Sequence, residues 1–484
     1  MNQPQIEPAG RRFRAFTAKH LDTLIQRAGL SASERLATRA VGMVLPFRTN
    51  SYVVDELIDW DAAPDDPIFR LVFPQAAMLP ATDVNRISCL LSSGASEAEL
   101  RAAVHQIRMR LNPHPAGQLA LNVPDLGEEP LPGVQHKYPE TVLVFPKQGQ
   151  TCHAYCTYCF RWAQFVDEPE LKMATSDIDR IVGYLAAHEE VTSVLITGGD
   201  PMIMGSGVLR RYIEPLLGPS LAHVESIRIG SKSLAYWPQR YVTDPDADDT
   251  LRLFEKVIAA GKTLAFMAHF SHPRELEPPV VAEAVRRIRG TGAVIRTQAP
   301  LIRSINDQAH IWAGMWRAQV RIGMVPYYMF IERDTGPQDY FAVPIARGYQ
   351  VFRDAYRCVS GLARTVRGPS MSATPGKVCI DGITELAGQR VFVLHMIQAR
   401  NPGLVGKPFF ARYNPAATWL SDLEPAFAER FPWESEPEAA PHLWADDILG
   451  AGVADPIGRG AGGLADGVLP AARVPVRAPF APPA

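Results

Sequence analysis

The sequence lacks long apolar runs, an excess of charge of either sign, and the cysteine content of a secreted domain. No apolar run reaches the roughly 18 residues that a membrane span requires, and the first residues, MNQPQIEPAGRRFRAF, lack the apolar core of a secretion signal. The 49 basic and 51 acidic residues give a net charge of -2 without a long basic run, which argues against nucleic-acid binding. We therefore expect a cytoplasmic protein with neither a membrane nor a nucleic acid as partner.

Cysteine is both scarce and unevenly distributed. Six cysteines occur in 484 residues, which is too few for a disulfide framework. Three of them lie within eight residues, at C-x3-C-x2-C spacing: Cys152, Cys156 and Cys159. The other three are scattered, and we expect them to be buried small apolar side chains: Cys89, Cys358 and Cys379.

The clustered cysteines predict a metal centre. No obvious fourth ligand stands beside them, whereas a structural zinc site takes four ligands. Three thiolates can hold an iron–sulfur cluster and leave one iron free to bind another molecule. The spacing resembles the cluster motif of the radical S-adenosylmethionine (SAM) enzymes. On spacing alone, zinc or a loop of ordinary cysteines stays open as the alternative.

A β/α alternation fills the chain from about residue 131 to residue 345. Six short apolar segments alternate there with amphipathic helical patterns. The segments are 141–145, 193–197, 224–230, 263–269, 293–298 and 324–331. This alternation predicts an α/β fold with a parallel sheet and right-handed crossovers. Six units are too few for an eightfold barrel, so we expect a partial (βα)6 barrel.

The flanking segments differ from this core. Residues 1–130 show helical periodicity, with Ser96 as a predicted N-cap, and we expect a helical N-terminal extension. Residues 346–433 are expected to close the barrel. Residues 434–484 are rich in Ala, Gly and Pro. Such a composition buries too little apolar area to offset its ordering entropy, so we expect a disordered tail.

Polar residues follow the predicted strands at their carboxyl ends, where parallel sheets gather their functional groups. They are Gly198, Gly199, Asp200, Ser231, His269, Gln298, Arg333 and Asp334. A tight turn at the glycine pair, and satisfied turn side chains at Ser231 and Gln298, are the alternatives. His269 forms an H-x2-H pair with His272, but without a third ligand we expect it to form hydrogen bonds rather than bind metal.

From about Leu131 to Gly382 the chain resembles the lysine 2,3-aminomutase family of radical SAM enzymes. The resemblance rests on LPGVQHKYPE, CHAYCTYCFRW, ITGGDP, IRIGS, PQR, HFSHP, PYYMF and the Pro-Gly-Lys at residues 375–377, in this order. It implies a [4Fe–4S] cluster, SAM and pyridoxal 5′-phosphate (PLP). The family moves an amino group from C2 to C3 of an amino acid through a 5′-deoxyadenosyl radical and a PLP aldimine. It further implies an electron donor such as flavodoxin or ferredoxin, and a homo-oligomer.

The resemblance also assigns roles to single residues. The three clustered cysteines would hold the cluster, and Arg161 would bind the substrate carboxylate. The residues assigned to SAM are Gly198, Gly199, Asp200, Ser231, His269 and Gln298. The residues assigned to PLP are Lys137, Tyr138 and Lys377, the last as the Schiff-base lysine.

Two departures from the family pattern affect PLP. Only Gly376 remains of the glycines that precede the family's lysine, and Thr141 stands where the family has an arginine for the phosphate. Lys137 or Lys147 could meet the phosphate instead. A radical SAM enzyme without PLP, or a non-catalytic Fe–S or zinc protein, therefore stays open.

The substrate prediction depends on the loop after the sixth strand. Arg333 stands where lysine-specific members carry an aspartate, Asp334 follows it, and residues 370–374 contain no acid. A like-charge contact at 4 Å near a surface costs ~4 kcal/mol, so Arg333 would repel lysine. We expect an acidic substrate, glutamate first. If instead Arg333 points away from the substrate and Asp334 points toward it, we expect a cationic substrate such as lysine or arginine.

Overall fold

The computed structural model describes residues 12–434, and their N-terminal part is mainly helical. The helices there are α1 (Ala18–Ile25), α2 (Ala32–Val44), α3 (Pro67–Val72), α4 (Ala81–Ser93) and α5 (Glu97–Arg110). As predicted, the Ser96 hydroxyl caps α5 by accepting from the Glu99 backbone N–H. Two short antiparallel ribbons accompany the helices: β1 (Ala15–Thr17) with β2 (Arg48–Asn50), and β3 (Asp125–Leu126) with β4 (Glu129–Pro130).

An eleven-stranded mixed sheet forms the centre of the molecule, and its strands lie in chain order. Seven consecutive strands are parallel: β6 (Thr141–Val144), β7 (Ser193–Ile196), β8 (Ser226–Ser231), β9 (Thr263–His269), β10 (Val294–Leu301), β11 (Val325–Ile331) and β12 (Arg367–Ser372). Antiparallel strands flank them: β5 (Val134–Tyr138) on one side, and β13 (Gly376–Leu386), β14 (Gln389–Ala399) and β15 (Pro408–Arg412) on the other.

Helices follow the first six parallel strands, as the β/α alternation predicts, whereas β12 is followed directly by β13. They are α6 (Ile178–Ala186), α7 (Ser206–Ile213), α8 (Ser233–Tyr236), α9 (Ala247–Ala259), α10 (Pro279–Gly290), α11 (Ala309–Arg321), α12 (Gln338–Phe341) and α13 (Ile345–Arg357). Alternate strand residues face opposite sides of the sheet. In β8, Ile227 and Ile229 are buried in the hydrophobic core, while Arg228 and Gly230 between and after them line a cavity.

All six predicted strands are present, but the parallel set has a seventh member. The sequence of β12, RGPSMS, has no β-branched apolar run, so periodicity could not reveal it. Side chains from opposite ends of the sheet meet, because Gln398 Nε2 donates to Glu140 Oε1 at 2.5 Å. This contact supports the partial barrel, which stays a prediction, as do the domain boundaries at 131, 346 and 434.

The predictions about the C-terminal tail and about membrane spans can be compared with the structure only within residues 12–434. The predicted disordered tail at 434–484 lies outside the described residues except for Glu434 itself. Within residues 12–434, no helix is both long enough and apolar enough to cross a membrane.

Candidate active site

One cavity at the carboxyl ends of the parallel strands brings together most of the predicted site residues. Those that line it are Cys152, Cys156, Cys159, Arg161, Gly198, Gly199, Asp200, Ser231, His269, Gln298, Arg333 and Lys377. Lys137, Tyr138 and Asp334 are not among the lining residues. The cavity is therefore lined by twelve of the fifteen residues that strand order or the family resemblance singled out.

The cysteine loop, Cys152–Cys159, is held by the N-terminal part of the chain, outside the central sheet. The backbone N–H of Tyr155 donates to the carbonyl of Arg48 at 2.8 Å, and that of Thr157 donates to the carbonyl of Leu71 at 2.9 Å. Main-chain bonds of this kind fix the path of the loop without using its side chains. The three thiols are therefore positioned by the backbone and stay available as ligands.

The three thiols suit a cluster of several metal ions. None of them forms a disulfide, and all three are partly buried. Burial raises the pKa of each thiol, to about 12 for Cys159, so a cation is needed to hold them as thiolates. Among residues 12–434, the groups whose ligand atoms all lie within 4.8 Å of one another do not include these thiols. Their wider spacing fits an iron–sulfur cluster better than a single zinc ion.

The Asp200 carboxylate is engaged by protein donors. It accepts from the Ser231 hydroxyl at 2.7 Å and from the backbone N–H groups of Lys232 and Met202, both at 2.9 Å. Burial raises the pKa of Asp200 to about 6. Asp200 and Ser231 thus tie the ends of β7 and β8 together, and the role of Asp200 toward SAM stays a prediction.

The glycine pair allows the end of β7 to approach the cysteine loop. A Cβ atom on Gly199 would lie 2.5 Å from both the backbone nitrogen and the backbone oxygen of Thr151. Gly198 has φ +132°, which side-chain-bearing residues rarely adopt. Residue 199 must therefore be glycine because the end of β7 packs closely against Thr151, the residue that precedes Cys152.

His269 forms hydrogen bonds, as predicted. Its Nε2 lies 3.0 Å from the Tyr158 hydroxyl and 3.2 Å from the Ser271 hydroxyl. Burial, together with the positive charge of Lys232, lowers the pKa of His269 well below its ordinary value. His272 turns elsewhere, because its Nδ1 accepts from the backbone N–H of Arg274 at 3.3 Å.

Lys377 enters the cavity from β13, on the opposite side from the cysteine loop in sheet order. Its Nζ donates to Gln398 Oε1 at 3.0 Å and lies 4.4 Å from the centre of the Tyr328 ring. Burial lowers the pKa of Lys377 to about 8. A lysine with its charge destabilised in this way resembles the lysines that react with carbonyl groups.

Arg161 lines the cavity and is bonded to the end of β7, where the glycine pair lies. One of its terminal nitrogens, Nη1, donates to the Thr197 hydroxyl at 2.7 Å and to the carbonyl of Gly198 at 3.1 Å. Its Nε is buried, and no partner for it is found among the described residues. Burial lowers the pKa of Arg161 to about 10. Such a guanidinium fits an incoming carboxylate, which would accept from the unpaired N–H.

No family model matches the chain. The chain is 31% identical over 397 residues to a protein described as "Putative L-lysine 2,3-aminomutase" from Aquifex aeolicus, and the match covers 82% of this chain and 92% of that protein.

This chain belongs to the lysine 2,3-aminomutase family.

Other family members match over a shorter length. The L-lysine 2,3-aminomutase of Clostridium subterminale is 27% identical over 234 residues, 48% of this chain and 53% of that protein. The chain thus spans about half the length of that relative. A radical SAM methyltransferase from Sphaerobacter thermophilus is 15% identical over a match that covers 49% of this chain and 68% of that protein, with a TM-score of 0.35. Membership of this family of radical SAM isomerases implies a [4Fe–4S] cluster and SAM.

Two residues that line the cavity, Arg228 and Glu332, were given no role by the family resemblance. Arg228 donates through Nη2 to the Thr141 hydroxyl at 3.3 Å, so it reaches the position where the family has its phosphate-binding arginine. Its Nε is buried, with no partner among the described residues. The sequence signal was an arginine between two core isoleucines, which strand alternation turns toward the other face. The second residue, Glu332, is buried beside Arg333, and burial raises its pKa well above the ordinary value.

Several assigned side chains lie outside the cavity. Lys137 Nζ donates to the carbonyl of Ala373, and burial lowers its pKa well below the ordinary value. Asp334 is contacted by Asn112, whose Nδ2 donates to its carbonyl at 2.6 Å. Lys147 does not line the cavity either. The roles of Lys137 and Lys147 toward PLP therefore stay predictions.

The prediction for the scattered cysteines was wrong for two of the three. Cys89 and Cys358 are exposed, and only Cys379 is buried. Cys89 lies on α4, whose core side is formed by Val84 and Ile87, and Cys358 follows the last residue of α13. A small side chain at such positions does not need to be buried for the helix to pack.

Proposed function

We propose that the protein is an amino acid 2,3-aminomutase that uses a [4Fe–4S] cluster, SAM and PLP. The main support for this proposal is that the cysteine loop, Lys377 and Arg161 line the same cavity. When bound, the reduced cluster and SAM supply a 5′-deoxyadenosyl radical, and PLP carries the migrating amino group. The chain supplies the ligands, the orientation of the substrate and the exclusion of water.

The cavity offers partners for both ends of PLP. Lys377 would hold the aldehyde end, since its amine is buried and makes one side-chain hydrogen bond, to Gln398. Arg228 would hold the phosphate, because its buried Nε lacks a partner in the described chain and charge-assisted bonds to phosphate are strong. Tyr138, Lys137 and the SAM-side residues Gly198, Gly199 and Gln298 keep their predicted roles as proposals.

Two arginines define a site for a diacid. The guanidinium carbons of Arg161 and Arg333 lie 5.0 Å and 4.9 Å from the centre of the same Phe160 ring. Arg333 donates through Nη2 to the carbonyl of Pro115 at 3.3 Å, and its buried Nε has no partner in residues 12–434. We infer that Arg161 binds the α-carboxylate and Arg333 the distal carboxylate of glutamate.

Glu332 favours a second candidate, a lysine or arginine 2,3-aminomutase. Its buried carboxyl lines the cavity beside Arg333 and would accept from a distal ammonium or guanidinium group. Burial favours the neutral carboxyl, which weakens such a pairing. Asp334, the other acid in the loop after β11, does not line the cavity.

The test is a competition among substrates. The anaerobically reconstituted, reduced protein is given SAM, PLP and equal amounts of glutamate, lysine and arginine, and the products are separated by mass spectrometry. We expect 3-aminoglutarate as the main isomerised product, together with 5′-deoxyadenosine. Isomerisation of lysine or arginine alone would establish the second candidate. Formation of 5′-deoxyadenosine without any amino acid isomer would indicate a radical SAM enzyme without aminomutase activity.

The proposed enzyme needs one-electron reduction, and we propose a flavodoxin or ferredoxin as the donor. A cytoplasmic location and a homo-oligomer complete the proposal. Either donor, added with its reductase, should replace a chemical reductant in the competition assay.

A further inference from the structure

A second group of potential metal ligands lies outside the cavity, on the β13–β14 hairpin. Cys379 and Asp381 are two residues apart on β13, and His395 is the cross-strand neighbour of Cys379 on β14. The thiol, one carboxylate oxygen and one ring nitrogen all lie within 4.8 Å of one another. We propose that these three side chains bind a zinc ion.

The donor set matches the preferences of zinc. Thiolate, imidazole and carboxylate are its usual protein ligands, and three protein ligands leave a fourth position for water. That position can be reached from solvent, since the side chains of Asp381 and His395 are 41% and 30% exposed. The thiol of Cys379 is buried beneath them, which gives the group a closed side and an open side.

The contacts within the group favour a metal over a cysteine nucleophile. His395 Nδ1 lies 2.6 Å from Asp381 Oδ2, so the imidazole is paired with the carboxylate. Burial and the neighbouring carboxylate raise the pKa of the Cys379 thiol to about 12, the opposite of what a nucleophile needs. A dication would balance the thiolate and the carboxylate, and the thiol proton would leave when the ion binds.

The charges around the group leave room for a cation. The positive charge of Arg367 acts on the Cys379 thiol, but this guanidinium is engaged elsewhere, because its Nη1 donates to the Tyr328 hydroxyl at 3.3 Å. The other three-ligand group of the described chain, His105 with Glu168 and Glu170, differs in this respect. There Arg108 Nη1 donates to Glu168 Oε1 at 2.9 Å, so the carboxylate already has a cationic partner.

A zinc ion here would fasten the two strands that present Lys377. Lys377 lies two residues before Cys379 on β13, and its partner Gln398 lies three residues after His395 on β14. The register of the pair shifts twice over this stretch, once next to Lys377 and once at Ile380–Gly382. An ion bound across the two strands would hold that irregular register in place.

The test is the metal content of the full-length protein with its cluster reconstituted. After exposure to zinc chloride and desalting, we expect about one zinc per chain by elemental analysis in the wild type. Cys379→Ser and His395→Ala should each lose that zinc and keep the iron of the wild type. The matched control, His105→Ala in the other group, should keep both metals. Wild type without zinc, or Cys379→Ser with zinc retained, would overturn the proposal.

A cobalt titration separates this site from the cysteine loop. In a variant with Cys152, Cys156 and Cys159 changed to alanine, Co²⁺ should still give a thiolate-to-cobalt charge-transfer band. That band should vanish when Cys379→Ser is added. If the loop variant does not fold, the reconstituted wild type and Asp381→Asn are compared by their zinc-to-iron ratios. We expect Asp381→Asn to lose zinc and keep its iron.

Discussion

Beside the cysteine loop, on the cysteine side of the cavity, the Asp200 carboxylate accepts hydrogen bonds from three protein donors. Toward Lys377, on the lysine side, Arg228 and Arg333 each keep a buried Nε that lacks a partner among the described residues, and so does Arg161 at the end of β7. The first arrangement fixes the shape of the strand ends around the cysteine loop. The second leaves donors whose burial without a partner costs about 1–3 kcal/mol each. An anionic ligand would recover that free energy, so we expect the three arginines to bind two carboxylates and a phosphate.

The largest effect should come from the cysteine side. Cys156→Ser removes one of the three thiolates, so we expect iron content and SAM cleavage to fall to background, with aminomutase activity lost. Iron analysis and quantification of 5′-deoxyadenosine measure this. The exposed Cys89→Ser is the matched control and should retain both. Equal losses in the two variants would mean that the cysteine loop has no special role.

The next effect separates the two sides. Lys377→Ala should abolish isomerisation while the cluster, and slow SAM cleavage, persist. Borohydride treatment of the wild type with PLP, followed by peptide mapping, should give a pyridoxyl adduct on Lys377 that the variant lacks. Lys147→Ala, outside the cavity, should keep the adduct. An adduct on another lysine in the wild type would contradict the assignment.

The substrate preference should follow Arg333. A hydrogen bond to a charged group contributes about 1.5–3 kcal/mol, so Arg333→Gln should lower kcat/KM for glutamate by roughly 10- to 100-fold. Glutamate should still stimulate SAM cleavage in this variant, because Arg161 remains to bind the α-carboxylate. Arg321→Gln, exposed on α11, serves as the control. Unchanged glutamate turnover in Arg333→Gln would move the distal carboxylate elsewhere.

Binding of the PLP phosphate should depend on Arg228, with an effect about as large as that of Arg333 on glutamate turnover. We expect Arg228→Gln to weaken PLP binding by about 10- to 100-fold, measured by equilibrium binding rather than by activity. Because Arg228 reaches the Thr141 hydroxyl, adding Thr141→Arg to this variant should restore part of the affinity. No recovery in the double variant, with a loss in the single one, would place the phosphate away from residue 141.

The smallest effect concerns the packing of the cysteine side. Gly199→Ala would place a methyl group 2.5 Å from backbone atoms of Thr151, and such overpacking typically costs 1–3 kcal/mol of folding free energy. We expect a lower Tm and incomplete iron loading. Gly207→Ala, on α7 with open space around it, should keep the wild-type iron content. Full iron loading in Gly199→Ala would show that the loop can shift to accept the methyl group.

The same two sides also differ in what sequence could predict. The cysteine loop and the six apolar strands could be predicted, because local spacing and periodicity determine them. Arg228 and Glu332 could not be assigned so readily, since their roles depend on which face of a strand, or which end of a loop, reaches the cavity. The contacts of Asp200 also depend on tertiary structure, since two of its three donors, Ser231 and Lys232, lie at the end of β8, more than 30 residues away.

The central claim is that radical generation and amino-group migration take place in one cavity. Glutamate deuterated at C3 is incubated with the reduced protein, SAM and PLP, and label is followed by mass spectrometry. We predict deuterium in 5′-deoxyadenosine, in recovered SAM and at C2 of 3-aminoglutarate. Cleavage of SAM with 5′-deoxyadenosine free of substrate deuterium, for glutamate and equally for deuterated lysine and arginine, would contradict the account.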